Sequence, residues 1–186
     1  MDRQAEIQAR AKKIRMIIFD VDGVLTDGGI YMGETGELFK PFHARDGLGI
    51  TLAQKAGLQT GIITGRDSAM LAKRAAELKI TAVWQGKRDK RAAYCELKQK
   101  FHLQDEEIAY VGDDLIDLPV MVQVGFPAAV GDAVLEVRNM AAFVASQHGG
   151  QGAVREILEF ILKAQGKWEA IVAAFQQPVD LENLVQ

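Results

Sequence analysis

The sequence predicts a three-layer α/β fold, a Rossmann-like parallel sheet flanked by helices. Three observations carry that expectation. Short apolar runs such as Ile17-Ile18-Phe19 and Ile62-Ile63 recur without polar alternation, as strands buried on both faces require. Helix-length stretches separate these runs, with short connections between. Three of the runs end in clustered polar residues, and open α/β sheets bind ligands at that edge. The 186 residues, 48% hydrophobic and 25% charged, supply one substantial core and no large second domain. We expect a single domain over 1–175 without a cap domain, then a flexible tail over 176–186 containing Pro178.

The elements follow in order. A short polar helix over 3–13 leads into a strand over 15–19 that ends at Asp20. Next, Gly28-Gly29-Ile30-Tyr31-Met32 and Glu37-Leu38-Phe39-Lys40-Pro41-Phe42 flank Gly33-Glu34-Thr35-Gly36, which reads as a β-hairpin inserted at about 28–42. Strands are expected over 58–63, 81–84 and 108–111, with less clear ones over 124–130 and 143–145. Helices are expected over 46–56, 68–79, 89–101 and 115–122. Val154, Ile157, Leu158, Ile161 and Leu162 form a helical stripe, continued by Trp168, Ile171, Val172 and Phe175.

Composition excludes several classes of function. With 22 basic and 25 acidic residues, net charge −3, no single-sign field invites nucleic acid or an anionic membrane. Cys95 is the only cysteine, which rules out an intrachain disulfide and a four-cysteine zinc site. It reads as a core residue of a helix. The polar start lacks a secretory signal, and no apolar run approaches the roughly 20 residues that span a bilayer. A cytoplasmic protein is expected.

Chemistry concentrates at three strand ends: Asp20-Val21-Asp22-Gly23-Val24-Leu25-Thr26-Asp27, Ile63-Thr64-Gly65-Arg66, and Gly112-Asp113-Asp114-Leu115-Ile116-Asp117. Taken singly each has a bland explanation. An Asp after a strand is more often a helix cap, and Thr-Gly-Arg is more often a plain turn. A calcium loop starting at Asp20 would need Gly and Glu where Leu25 and Tyr31 stand. Together, the acidic pairs are costly to assemble without a cation between them. A hard divalent ion with oxygen ligands, such as Mg²⁺, answers that cost. Lys87 and Lys90 are both available to complete a phosphate clamp, and Lys90 lies at the start of the helix expected from Asp89.

The first run resembles the DxDGxxxD signature of the haloacid dehalogenase superfamily, and Thr64, a lysine near residue 90 and Gly112-Asp113-Asp114 resemble its other motifs. Ile30-Tyr31-Met32-Gly33, Phe42-His43-Ala44-Arg45-Asp46-Gly47 and Gly149-Gly150-Gln151-Gly152 extend the likeness to its capless phosphatases of KDO 8-phosphate, over roughly 12–165. The resemblance implies a Mg²⁺-dependent phosphomonoesterase of lipopolysaccharide biosynthesis. Asp20 would be the nucleophile, forming an aspartyl-phosphate, and Asp22 the general acid and base. Asp20, the Asp22 carbonyl and Asp113 would hold the metal. Gly23 would let the backbone approach the phosphoryl group. Thr64, the Gly65 backbone and Lys90 would bind that group, with Asp114 and Asp117 supporting the lysine or the metal's waters. His43, Arg45, Asp46 and Gly47 would form a substrate loop, some serving a neighbouring subunit.

Arg45, Arg66 and Arg74 are candidates for an acidic sugar, since guanidinium forks pair with carboxylates. Arg74 reads equally well as a solvated helix charge. His102 and His148 show no partner pattern. The implied assembly is a homotetramer built through the hairpin. A phosphatase of a nine-carbon, sialic-acid-type sugar phosphate is the alternative within the class. A phospho-accepting signalling domain is the alternative outside it, disfavoured because its acidic pair precedes the accepting Asp. Here the nucleophile pair comes first.

Overall fold

The computed structural model describes residues 2–80 and 82–176. Helix α1 (Arg3–Lys12) leads into β1 (Met16–Phe19), every residue of which is buried. A hairpin follows, β2 (Tyr31–Gly33) pairing antiparallel with β3 (Gly36–Phe39). Then come α2 (Ala44–Lys55), β4 (Gln59–Ile63), α3 (Ala69–Glu77), β5 (Ala82–Trp84), α4 (Lys90–Phe101) and β6 (Ile108–Gly112). The chain continues through α5 (Leu118–Met121), β7 (Phe126–Ala129), α6 (Leu135–Met140), β8 (Phe143–Val144), α7 (Ala153–Ala164) and α8 (Trp168–Gln176). Thr81 and the expected tail beyond Gln176 lie outside the described residues.

The main sheet has six strands in the order β5-β4-β1-β6-β7-β8, all paired parallel. From β1 the chain builds outward through β4 to β5, then crosses back to lay β6 on the other side. β1 is therefore the switch point, and the crevice at its carboxyl end is where such sheets bind ligands. Phe19 pairs with both Ile62 and Val111. That register brings Asp20, Thr64 and Asp113, each just past a strand, to one edge. On the helical layers, α7 packs against α2 and α1, while α4, α5 and α6 pack in series. The stripe expected from Val154 to Leu162 is buried in the core.

Three local expectations change. The helix expected over 115–122 is a tight 3-10 turn, Leu115–Asp117, followed by α5. The carboxylates of Asp114 and Asp117 cap that turn reciprocally, so local side-chain bonds outcompete a continuous helix. Helix α6 was not expected: of its apolar side chains Leu135 and Met140 are exposed and Val137 is buried, so there is no stripe to read. Cys95 is exposed rather than in the core. Helix α4 buries Lys90, Ala93, Tyr94 and Leu97, a spacing that leaves Cys95 on the solvent side.

Candidate active site and metal centre

Asp20, Asp22, Gly28, Thr64, Gly65, Arg66, Asp113, Asp114 and Ile116 line one cleft of about 270 Å³ at the carboxyl edge of the sheet. Asp20 is 4% exposed, and its backbone N–H donates to Val111 O at 3.0 Å, locking it to β6. Thr64 is held from β5, its N–H donating to Trp84 O at 3.0 Å. Both side chains thus stand on strand ends, where they are positioned more rigidly than on a loop.

Lys90 is buried as a floor behind the cleft, touching Asp20 without lining the cleft itself. Its Nζ lies 2.8 Å from Asp20 Oδ2 and 2.7 Å from Asp117 Oδ1. Lys87 points elsewhere, 40% exposed and 3.9 Å from Glu96. Burial pulls the Lys90 ammonium down, but Asp20 and Asp117 outweigh it and hold it above the usual lysine range. It is a fixed positive charge.

Asp117 is fully buried and its acceptors are filled. Oδ1 takes Lys90 and the Tyr110 hydroxyl, each at 2.7 Å, and Oδ2 takes the N–H groups of Asp113 and Asp114 at 2.9 and 3.3 Å. Oxygens of Asp20, Asp113 and Asp117 lie close enough together to share a metal ion. Asp117 already has four donors, so it supports the group. Asp113 differs: its Oδ1 is buried with no hydrogen-bond partner. A buried carboxylate oxygen left unpaired beside a second carboxylate is an acceptor waiting for a cation. The residues present therefore fit a hard divalent ion held by Asp20 and Asp113, with oxygen donors only.

Electrostatics agree with that fit. Burial, reinforced by Asp117, raises Asp20 to about 6 against the pull of Lys90. Burial, with Asp20 and Asp117, raises Asp113 to about 8. Both carboxyls thus keep protons in the folded chain after the unfolded chain, at 3.8, has lost them. Stability of the metal-free protein falls as pH rises from 3.8 through about 6 for Asp20 and about 8 for Asp113. A bound cation removes that penalty. We expect the melting temperature without metal to drop between about pH 5 and about pH 8, and Mg²⁺ to raise it by about 3 °C or more at the higher pH and by less near about pH 6. Differential scanning fluorimetry checks this, and a larger Mg²⁺ shift at the lower pH contradicts it.

The loop carrying Asp22 depends on two close backbone approaches. Gly23 has φ +87°, and a Cβ there would sit 2.1 Å from Asp113 Oδ2. Its missing side chain makes room for the acidic partner. Gly149 lies against that same loop, where a Cβ would meet Gly23 O at 1.8 Å, and Gly150 N–H donates to Val24 O at 3.0 Å. Asp27 shapes the entry to the hairpin, accepting from Gly29 N at 2.9 Å and from the Tyr31 hydroxyl at 3.0 Å.

Other residues expected around substrate sit away from the cleft. His43, Asp46, Gly47 and Arg74 line a separate void of about 10 Å³, too small for more than a water. Asp46 is 2% exposed and accepts from the N–H groups of Gly152 and Arg155, at 3.2 and 2.8 Å. It caps α7 from another helix, satisfying donors that a helix N-terminus leaves open. Gly47 makes space for Arg74, whose Nη2 lies 2.2 Å from where a Cβ would be. Arg74 is not a solvated charge: it lies over the Phe42 ring at 6.0 Å and pairs with Glu77 at 2.9 Å. His43 Nδ1 is 3.7 Å from Asp46 Oδ2, and Arg45 is exposed on the first turn of α2. Arg66 reaches the cleft, its Nε 3.7 Å from Asp22 Oδ2.

Two residues at the site escaped the sequence reading. Tyr110 left a signal, a hydroxyl in a strand buried on both faces, which must find a partner. Lys40 left none. It follows β3 and donates to Asp22 Oδ1, a contact across the hairpin that no local pattern announces.

The parallel sheet, with an Asp pair after its first strand and a Thr, a Lys and an acidic pair converging on it, defines a haloacid dehalogenase-like hydrolase. A model of that hydrolase family matches residues 80–158. The 3-deoxy-D-manno-octulosonate 8-phosphate phosphatase KdsC of Escherichia coli (strain B / BL21-DE3) is 47% identical over 163 residues, 88% of this chain and 87% of that protein. The chain belongs to the 3-deoxy-D-manno-octulosonate 8-phosphate (KDO 8-phosphate) phosphatase family. The crystal structure of the phosphatase from Yersinia pestis superposes with a TM-score of 0.86 at 48% identity, covering 88% of this chain and 89% of that one. That of the Moraxella catarrhalis phosphatase, in complex with magnesium ion, phosphate ion and KDO, superposes with a TM-score of 0.89 at 41% identity, covering 92% and 98%.

Proposed function

We propose that this protein is a Mg²⁺-dependent phosphatase that hydrolyses KDO 8-phosphate to KDO and inorganic phosphate, a step of lipopolysaccharide biosynthesis. The observation that carries the reading is the buried Lys90 between Asp20 and Asp117, beside the unpaired Asp113 oxygen. Such a floor suits a phosphoryl group at the strand edge. In the first half-reaction an Asp20 oxygen attacks phosphorus and the P–O bond to the sugar breaks. Asp22 gives its proton to the departing sugar oxygen. In the second, Asp22 takes a proton from water as that water's oxygen attacks phosphorus and the bond to Asp20 breaks. Lys90 keeps the Asp20 carboxylate oriented, and Thr64 and the Gly65 N–H are placed to bind phosphoryl oxygens. Asp20, Asp113 and the Asp22 carbonyl would hold Mg²⁺, which would offset the repulsion between anionic nucleophile and anionic phosphate. Arg66, on the open side of the cleft, is the candidate for the sugar carboxylate.

A phosphate-release screen tests the substrate. KDO 8-phosphate is expected to exceed its nine-carbon analogue by about 10-fold or more in kcat/KM. Poor turnover of both overturns the acidic-sugar reading.

Among the described residues no cap domain covers the cleft, and closure from outside it is the reading that follows. We infer a cytoplasmic homotetramer in which hairpins pack together and neighbours complete each other's sites, His43 and Arg45 among the residues offered across. In support, Ile30, Met32, Leu38 and Phe39 of the hairpin are all exposed, an apolar patch of the kind that marks interfaces. No described helix is long and apolar enough to cross a membrane. Sedimentation equilibrium is expected to give four chains per particle, and a monomer removes this inference.

A further inference from the structure

The Asp22 carboxylate is held by groups from outside its own loop. Oδ1 accepts from Lys40 Nζ, and Oδ2 faces Arg66 Nε at 3.7 Å. Lys40 is itself enclosed: its side chain is 2% exposed, and its second partner is Glu37 Oε1 at 3.0 Å. Glu37 in turn accepts from Ser68 Oγ, and that oxygen caps α3 by accepting from Leu71 N at 3.3 Å. Burial raises the Glu37 carboxyl, but the Ser68 hydroxyl, Lys40 and Arg66 outweigh it and hold it below the usual range. Glu37 stays a full negative charge.

A lysine is almost never this buried unless it is paired. Here its two carboxylates come from different elements, the loop after β1 and the hairpin. The path Asp22–Lys40–Glu37–Ser68 therefore ties that loop to the hairpin and to the start of α3. Lys40 does not line the cleft, so its influence runs through Asp22. A carboxylate on a loop otherwise samples several side-chain rotamers, and a small misplacement of an acid–base group is costly in rate.

We propose that Lys40 positions Asp22: anchored by Glu37, its ammonium fixes the carboxylate facing the sugar oxygen in one half-reaction and the water in the other. This rests on Asp22 being the general acid and base, so the test includes Asp22→Asn. Kinetics are measured on the Mg²⁺-loaded full chain with KDO 8-phosphate and with p-nitrophenyl phosphate. Nitrophenolate leaves without a proton, so the first half-reaction on that ester does not need Asp22.

Lys40→Met is expected to lower kcat on KDO 8-phosphate about 50-fold, with KM within about 3-fold of the parent. On p-nitrophenyl phosphate it is expected to keep a burst of about one nitrophenolate per site, followed by slowed turnover. Lys40→Arg and Glu37→Gln are expected to lose about 5-fold in kcat on the sugar phosphate. An unchanged kcat, a loss wholly in KM, or loss of the burst together with sugar-phosphate turnover overturns the proposal. If circular dichroism shows Lys40→Met unfolded, Glu37→Gln decides by the same kcat criterion. Full sugar-phosphate turnover by Asp22→Asn sinks the acid–base reading and this proposal with it. A crippled Asp22→Asn beside unaffected Lys40 variants sinks this proposal alone.

Discussion

Asp20→Asn is expected to abolish phosphate release from KDO 8-phosphate, by about 10⁴-fold or more. Asparagine has nearly the same shape, so the site remains. What disappears is the anionic oxygen that attacks phosphorus, and a neutral amide oxygen does not replace it. The fold is expected to survive. Burial raises the Asp20 carboxyl to about 6, so above that pH its charge works against the folded metal-free state. Lys90 keeps Asp117 at 2.7 Å as a partner. The melting temperature without metal should accordingly hold or rise slightly at neutral pH. Phosphate release and a thermal melt on the same preparation check both halves. An active Asp20→Asn protein removes Asp20 as nucleophile.

Chelating the metal is expected to reduce turnover about 100-fold or more, and adding Mg²⁺ back to restore it. The expectation follows from charge crowding. Burial and the neighbouring Asp20 and Asp117 push Asp113 up to about 8, so the site already resists its own two carboxylates before an anionic substrate arrives. Lys90 supplies one positive charge and is shared with Asp117. Without a cation, the nucleophile either carries a proton or faces phosphate unscreened, and neither state attacks well. Activity undiminished after exhaustive chelation would take the metal out of the mechanism.

The residues that gather in the cleft were legible in the sequence because each stands next to the end of an apolar strand. A parallel sheet puts all such ends on one edge, so the sequence groups Asp20, Thr64 and Asp113. Lys90 was legible less directly: spacing left Lys87 open beside it, and it is the structure that buries Lys90 on one face of α4 with Ala93, Tyr94 and Leu97. Elements with strong periodicity, such as α7, were equally plain. Those with one buried side chain, such as α6, were not.

Other assignments depended on partners far apart in sequence. Asp46 reads as a loop residue near substrate, yet in the described chain its carboxylate caps α7 more than a hundred residues away. Gly47 reads as a substrate-loop position, and here it clears space for Arg74. Cys95 reads as core, and the phase of α4 turns it to solvent. Composition and local pattern do not encode such pairings, because they arise only when helices pack.

By itself, then, the sequence determined the α/β class, the gathering of polar residues at the strand ends and the family, all properties of contiguous segments and their order. Tertiary structure alone decided the strand order that makes β1 the switch point, the four donors that fill Asp117 while an Asp113 oxygen stays unpaired, and the seating of Lys40 on Asp22. The physical reason is that a buried charge is tolerable only beside its partner. The partner is chosen by packing between elements, which local spacing does not fix.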